Sequence, residues 1–251
     1  STPIKSSAAS DVYKRQTFDL STGEYITKLG QLRRLTISGY GLVDLDPDFK
    51  NLKNLESLDI SVNNFEKIPE VLTKENFPKL HALYLNTCQR GVIYDLSNTT
   101  TTHFGGLFEE TDQTREFPRR LLEWDNLDTL TLSVNYLQGR IPDMKDYAQK
   151  YTQADISAAD SLPQALVGTP KVLPNIKRFS INLNRLTGEL PEWLLHHPAL
   201  DWMDPFTLVF TQEGKDQDGK LAGFTNEPVN LDEYYRFYEG KKYLDPNKKE
   251  E

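Results

Sequence analysis

Two stretches of the chain nearly duplicate each other 49 residues apart: LTLSVNYLQGRIPD at Leu130–Asp143 and FSINLNRLTGELPE at Phe179–Glu192. Leu137 and Leu186, Gly139 and Gly188, and Pro142 and Pro191 share that offset. A copied pattern of this kind constrains the fold strongly. Short units that cannot each bury an apolar face must stack and bury one jointly. The pattern L-x-x-L-x-L-x-x-N extends the duplication to five segments, starting at Leu32, Leu55, Leu80, Leu127 and Ile176. The starts are 23, 25, 47 and 49 residues apart, so each long gap has room for one weakened copy. The spacing places those copies near Phe104 and Tyr151, the second putting Tyr151, Ala154 and Ile156 on the pattern.

Strand geometry explains the period. Successive side chains of a strand point to opposite faces. Leu32, Leu35 and Ile37 therefore turn to one side and Arg34, Thr36 and Ser38 to the other. Neighbouring copies are expected to pair as a parallel sheet over a continuous core. Asn63, Asn135 and Asn184 stand where the chain leaves the strand. An amide there carries donors and an acceptor for backbone groups turned inward. Tyr40 and Cys88 are expected to take the same place in their copies. Proline opens the apolar runs IPEVL, FPRRLLEW and LPEWLLHHP, as it does in first helical turns. These runs are read as short helices or 3-10 turns behind the sheet, with Leu72, Leu122 and Leu194 closing the core.

On these motifs the chain resembles leucine-rich repeat proteins over about residues 30–205. The L-x-G-x-[IL]-P extensions at Leu137–Pro142 and Leu186–Pro191 are similar to plant receptor-type repeats and to bacterial repeat proteins. The segment LLHHPALDWMDPFTLVFTQEGKDQDGKLAGFTNEP resembles secreted or surface-anchored leucine-rich repeat proteins of Bacteroidetes. The resemblance implies an α/β solenoid: a horseshoe with a parallel concave sheet and short convex helices, in an extracellular or cell-surface setting.

Three regions are expected. Residues 1–16 contain SSAASDVYKRQ, which resembles a translated adaptor remnant; a disordered native tail is the other reading. Residues 17–205 carry the repeats, with a last unit near Leu200. Residues 206–251 are expected to form a cap. In it Phe206, Leu208 and Phe210 alternate into a hairpin turned at GKDQDGK. A helix over Asn230–Gly240 follows, with Glu233 in a capping box and Leu231, Tyr234, Tyr235 and Tyr238 on one face.

Composition excludes several functions. A net charge of −8 with 26% charged residues does not fit a phosphate-binding surface, so no nucleic-acid partner is expected. No apolar run approaches the length of a membrane span. One cysteine and four histidines leave little metal-site material, and neither metal nor cofactor is expected. D-x-D-G at Asp216–Gly219 lacks the outer ligands of a calcium loop. His196 and His197 are read as a polar helix terminus. No catalytic constellation is visible, so no enzyme is expected.

What remains is the concave face. Its columns read Arg34, Ser57, Ala82, Thr129, Gln153, Arg178; then Thr36, Asp59, Tyr84, Thr131, Asp155, Ser180; then Ser38, Ser61, Asn86, Ser133, Ser157, Asn182. The candidate ligand-binding residues are Arg34, Thr36, Asp59, Tyr84, Asn86, Thr131, Asp155, Arg178, Ser180 and Asn182. Tyrosine and arginine favour Tyr84, Arg34 and Arg178 as anchors. A protein or peptide ligand is the leading expectation. A glycan ligand and a purely spacing role are alternatives, as is an enzymatic cleft formed by residues 97–116 over the sheet.

Overall fold

The structure is a computed structural model. It describes residues 26–87, 116–200 and 209–226, apart from 41, 43, 64, 66, 67, 159–161, 163, 196, 198, 199, 216 and 217. The N-terminal tail, Cys88, the segment around Phe104, His196, Phe206, Leu208 and the Asn230–Gly240 helix lie outside the described residues.

Five three-residue strands form one parallel sheet: β1 (Arg34–Thr36), β2 (Ser57–Asp59), β3 (Ala82–Tyr84), β4 (Thr129–Thr131) and β6 (Arg178–Ser180), in that order. The register is that of the repeat: Leu35 pairs with Leu58, Leu58 with Leu83, Leu83 with Leu130, and Leu130 with Phe179. Except for half-buried Leu35, these side chains are wholly buried, together with Leu55, Leu80, Leu127 and Ile176. Behind the sheet lie α1 (Arg119–Leu122) and α3 (Glu192–Leu195), each begun by its proline run, and a 3-10 turn at Pro47–Asn51. IPEVL forms turns rather than a helix, but Leu72, Leu122 and Leu194 are all buried as expected. Trp193 packs edge-on against Phe179 at 6.1 Å and donates its indole N–H to Pro142 O at 2.8 Å, tying one coil to the previous one.

The asparagines form a ladder through the core. Asn184 Nδ2 donates to Leu132 O and Ile181 O, at 2.9 and 2.8 Å. Its Oδ1 accepts from Asn135 N and Leu137 N, at 2.8 and 3.2 Å. Asn63 serves Ile37 and Ile60 carbonyls and the Tyr40 and Leu42 amides in the same way. Asn135 donates to Leu85 and Leu132 carbonyls. Each amide thus satisfies backbone groups that turn inward where water is absent. Tyr40 does not join the ladder; it is 49% exposed. It lies on the first described rung, and its own amide is served by Asn63. A second row lies just before the strands: Asn54, Asn126 and Asn175 donate to Gly30, Pro78 and Asp125 carbonyls of the preceding coil.

The long gaps do not add rungs. β3 neighbours β4 directly, so no strand from the Phe104 segment enters between them. β4 likewise neighbours β6, and the Tyr151 copy is not a strand. Its residues Gln153–Ala158 form the helix α2, with no buried residue. Thr152 and Asp155 make a capping box: Asp155 N donates to Thr152 Oγ1 at 3.2 Å and Thr152 N to Asp155 Oδ2 at 2.8 Å. Local capping and an alanine-rich sequence therefore prevail over an apparent two-residue alternation. The excursion is closed at its base by antiparallel pairing of Lys150 with Pro170.

A second sheet runs alongside through the L-x-G motifs: β5 (Gln138–Gly139), β7 (Arg185–Gly188) and β8 (Gly223–Phe224), all parallel. Gly188 has φ +86°, and a Cβ there would meet Arg140 Cγ at 2.8 Å, so glycine alone fits.

The repeat continues past Leu200. Leu183 N donates to Thr211 O at 2.7 Å. Gln212 takes the ladder place, donating to Ile181 O and Val209 O and accepting from Leu186 N. Val209 and Phe210 are both buried, so the expected alternation toward a hairpin strand does not hold. Around GKDQDGK, Lys215 pairs antiparallel with Leu221. Phe224 then joins β7 in parallel.

His197 is not a solvated helix terminus. It is buried, and its Nε2 lies 3.1 and 2.9 Å from the carbonyls of Val172 and Leu173. A proton on Nε2 donates to both. Burial lowers the imidazole pKa to about 4, against which the two carbonyls act only partly. The ring is neutral near pH 7 and cannot serve as a cation for the helix dipole.

Candidate binding face

The strand register gathers most of the expected residues on the side of the sheet facing away from the core. Arg34 pairs with Ser57, Ser57 with Ala82, Ala82 with Thr129 and Thr129 with Arg178. Thr36, Asp59, Tyr84, Thr131 and Ser180 form the middle row in the same register. Asp155 does not belong to it. It sits on α2, where Lys171 Nζ lies 2.6 Å from Oδ1. The Lys171 contact, then the Thr152 hydrogen bonds, lower the Asp155 pKa to about 2. Gln153 and Ser157 leave the face with it.

The face has a distinct floor and rim. Arg34, Thr36 and Arg178 are exposed, and Asp59, Tyr84, Asn86 and Asn182 are half-buried. Thr131 and Ser180 are buried, Thr131 to 2% exposure. Much of the third row is already engaged across the rungs. Ser133 N donates to Asn86 Oδ1 at 3.0 Å, and Asn86 N to Ser61 Oγ at 3.2 Å. Ser133 Oγ lies 2.7 Å from Ser180 Oγ and 2.5 Å from Asn182 Oδ1. A relay from Ser180 to Ser133 to Asn182 gives each hydroxyl proton an acceptor. These side chains fasten rungs together, which leaves fewer of them for a ligand. Thr131 Oγ1 is the exception: it is buried without a hydrogen-bond partner.

Charge separates the rows. Before the strands, Arg33 pairs with Glu56 at 3.3 Å and His81 with Asp128 at 3.1 Å. On the face itself, Arg34 and Arg178 make no ion pair. Asp59 is the one acid among the described strand residues of the face, and its Oδ1 accepts from Ser61 N at 3.0 Å.

A row that the pattern did not flag borders the face. In five coils the residue before the ladder position is left-handed: Gly39 at φ +78°, Val62 at +58°, Thr87 at +57°, Val134 at +60° and Leu183 at +57°. Each donates its N–H to the next coil: to Ser61, Asn86, Ser133, Asn182 and Thr211 carbonyls. Glycine or asparagine adopts this conformation readily, whereas valine is strained in it. Position in the repeat would have located the row; residue type would not. Val62 there is 54% exposed.

The described residues hold no group of three or more potential metal-ligating side chains, and no helix among them is long and apolar enough to cross a membrane.

The Leucine Rich Repeat family model matches residues 54–74, the coil that contains β2 and Asn63. No curated protein sequence matches. Among solved structures, a TDR receptor is similar at 24% identity and a TM-score of 0.38, over 69% of this chain and 22% of that one. A leucine-rich repeat protein of Leptospira interrogans is similar at 22% identity and a TM-score of 0.39, over 79% and 45%. The ectodomain of an Arabidopsis thaliana membrane receptor kinase, in complex with Casparian strip integrity factor 2, is similar at 21% identity and a TM-score of 0.32, over 80% and 28%. The chain thus spans less than half the length of each of these proteins. The matched coil is similar to a leucine-rich repeat, and the parallel, in-register sheet carries its pattern from coil to coil in a solenoid-like fold. Repeats of this kind are in general non-catalytic binding scaffolds for proteins.

Proposed function

We propose that the chain is a non-catalytic binding module of an exported or surface leucine-rich repeat protein, and that it recognises a protein or peptide on the concave side of its sheet. One observation carries the reading. Strands aligned in register hold Tyr84 between two exposed arginines, Arg34 and Arg178, on a face whose remaining polar groups mostly bond one another. Tyrosine and arginine are the residue types that anchor protein interfaces. Tyr84 is the one aromatic residue among the described strand positions of the face, too few for a row of sugar-stacking platforms, so a peptide ligand is favoured over a glycan.

The test is site-directed photocrosslinking. A photoreactive phenylalanine replaces Tyr84 in one sample and Lys79, which lies outside the strand face, in another. Exposure to surface-protein extracts should give a discrete adduct from position 84 alone. Equal labelling from both positions, or none from position 84, contradicts the proposal.

A further inference from the structure

We infer that the outward sheet face selects an acidic peptide in extended conformation, lying across the rungs with one carboxylate at Arg34 and another at Arg178. The inference rests on the peptide-binding reading above and adds the chemistry of the ligand. Charge complementarity is its basis. The whole chain carries a net charge of −8, yet the described strand residues of this face hold two cations and one anion. In the neighbouring row Arg33 lies 3.3 Å from Glu56 and His81 lies 3.1 Å from Asp128, while Arg34 and Arg178 stay exposed without an ion pair. An unpaired guanidinium presents a planar fork of donors that fits a carboxylate.

Geometry sets the ligand's spacing. β1 and β6 are the two edges of the five-stranded sheet. Four steps of about 4.8 Å separate them by about 19 Å, which an extended chain covers in roughly five to six residues. Between the arginines, the Thr131 hydroxyl lies in the floor of the face without a hydrogen-bond partner.

The experiment is selection of a random twelve-residue peptide display library on the immobilised full chain, followed by fluorescence anisotropy with the enriched peptides. The expected sequences carry two acidic residues five or six positions apart. Arg34→Ala and Arg178→Ala should each weaken binding about tenfold. Arg34→Glu with Arg178→Glu should abolish it. Arg33→Glu, one residue from Arg34 but paired with Glu56, should change it less than about threefold. Circular dichroism melting curves identify any variant that loses its fold, and the alanine variants then decide. Enrichment of neutral or basic peptides, or of acidic ones indifferent to both arginines, overturns the inference. If such peptides are still released by Tyr84→Ala, only the acidic preference falls. If they ignore Tyr84 as well, the peptide-binding reading falls with it. Capture of heparin with no peptide enriched assigns the face to a sulfated glycan and also overturns the inference.

Discussion

The rungs and the excursion between β4 and β6 occupy one chain but are held by different physics. In the rungs, amide side chains reach backbone groups of other coils inside a dry core: Asn184 alone serves four, from Leu132 to Ile181. In the excursion, most contacts are between exposed side chains. Gln153 and Gln164 exchange amide hydrogen bonds at 3.1 and 2.6 Å, and Thr152, Asp155 and Lys171 form a short chain on the surface. Tyr151 and Leu166 turn inward from it, and burial pushes the Tyr151 phenol up to about 12. A hydrogen bond made where water is excluded costs its full desolvation when broken, whereas an exposed one is replaced by water. The rungs should therefore dominate stability, and the excursion should tolerate change.

The largest expected effect follows from the ladder. Asn184→Ala leaves the buried Asn135 and Leu137 amides without partners, takes one of two donors from the Leu132 and Ile181 carbonyls, and should lower unfolding free energy by about 4 kcal/mol in urea titration. A loss below about 1 kcal/mol would place the ladder among solvated contacts and erase the contrast.

His197 stands at the junction of the two regions, bonded to carbonyls where the excursion returns. Its folded pKa is lowered to about 4, so the unfolded chain binds the proton first. Its contribution is complete above pH of about 6.5 and is lost as pH falls toward about 4, to a total of about 3 kcal/mol. His197→Gln should flatten stability over that window. An unchanged slope in the variant would show that the imidazole is solvated.

The smallest effect belongs to the excursion. Thr152→Ala removes the cap of α2 and should cost about 1 kcal/mol or less. If it destabilises the chain as much as Asn184→Ala, the excursion is part of the core.

The two regions also differ in how far they could be read beforehand. Each rung was legible because Leu58, Leu83 and Leu130 must face one core, and a slip of one residue would expose them. The Tyr151 segment was not. Tyr151, Ala154 and Ile156 fit the strand template, but the capping pair Thr152 and Asp155 closes a local helix there in place of a strand. The end of the repeat was hidden for another reason. Gln212 does the work of asparagine, and ten residues, 213–222, separate it from β8. On the face, rows were legible but availability was not. Whether Asn182 faces a ligand or a neighbouring serine depends on distances between coils that no single repeat encodes.

The central claim is that coils far apart in sequence are joined by amides through the core, and native-state hydrogen exchange tests it most directly. The Asn135 and Leu137 amides both donate to Asn184 Oδ1. In the wild-type chain both should exchange only on global unfolding. In Asn184→Ala both should lose protection by orders of magnitude more than the strand amides of β2. Unchanged protection at Asn135 and Leu137, or losses confined to the residues flanking position 184, would contradict the account.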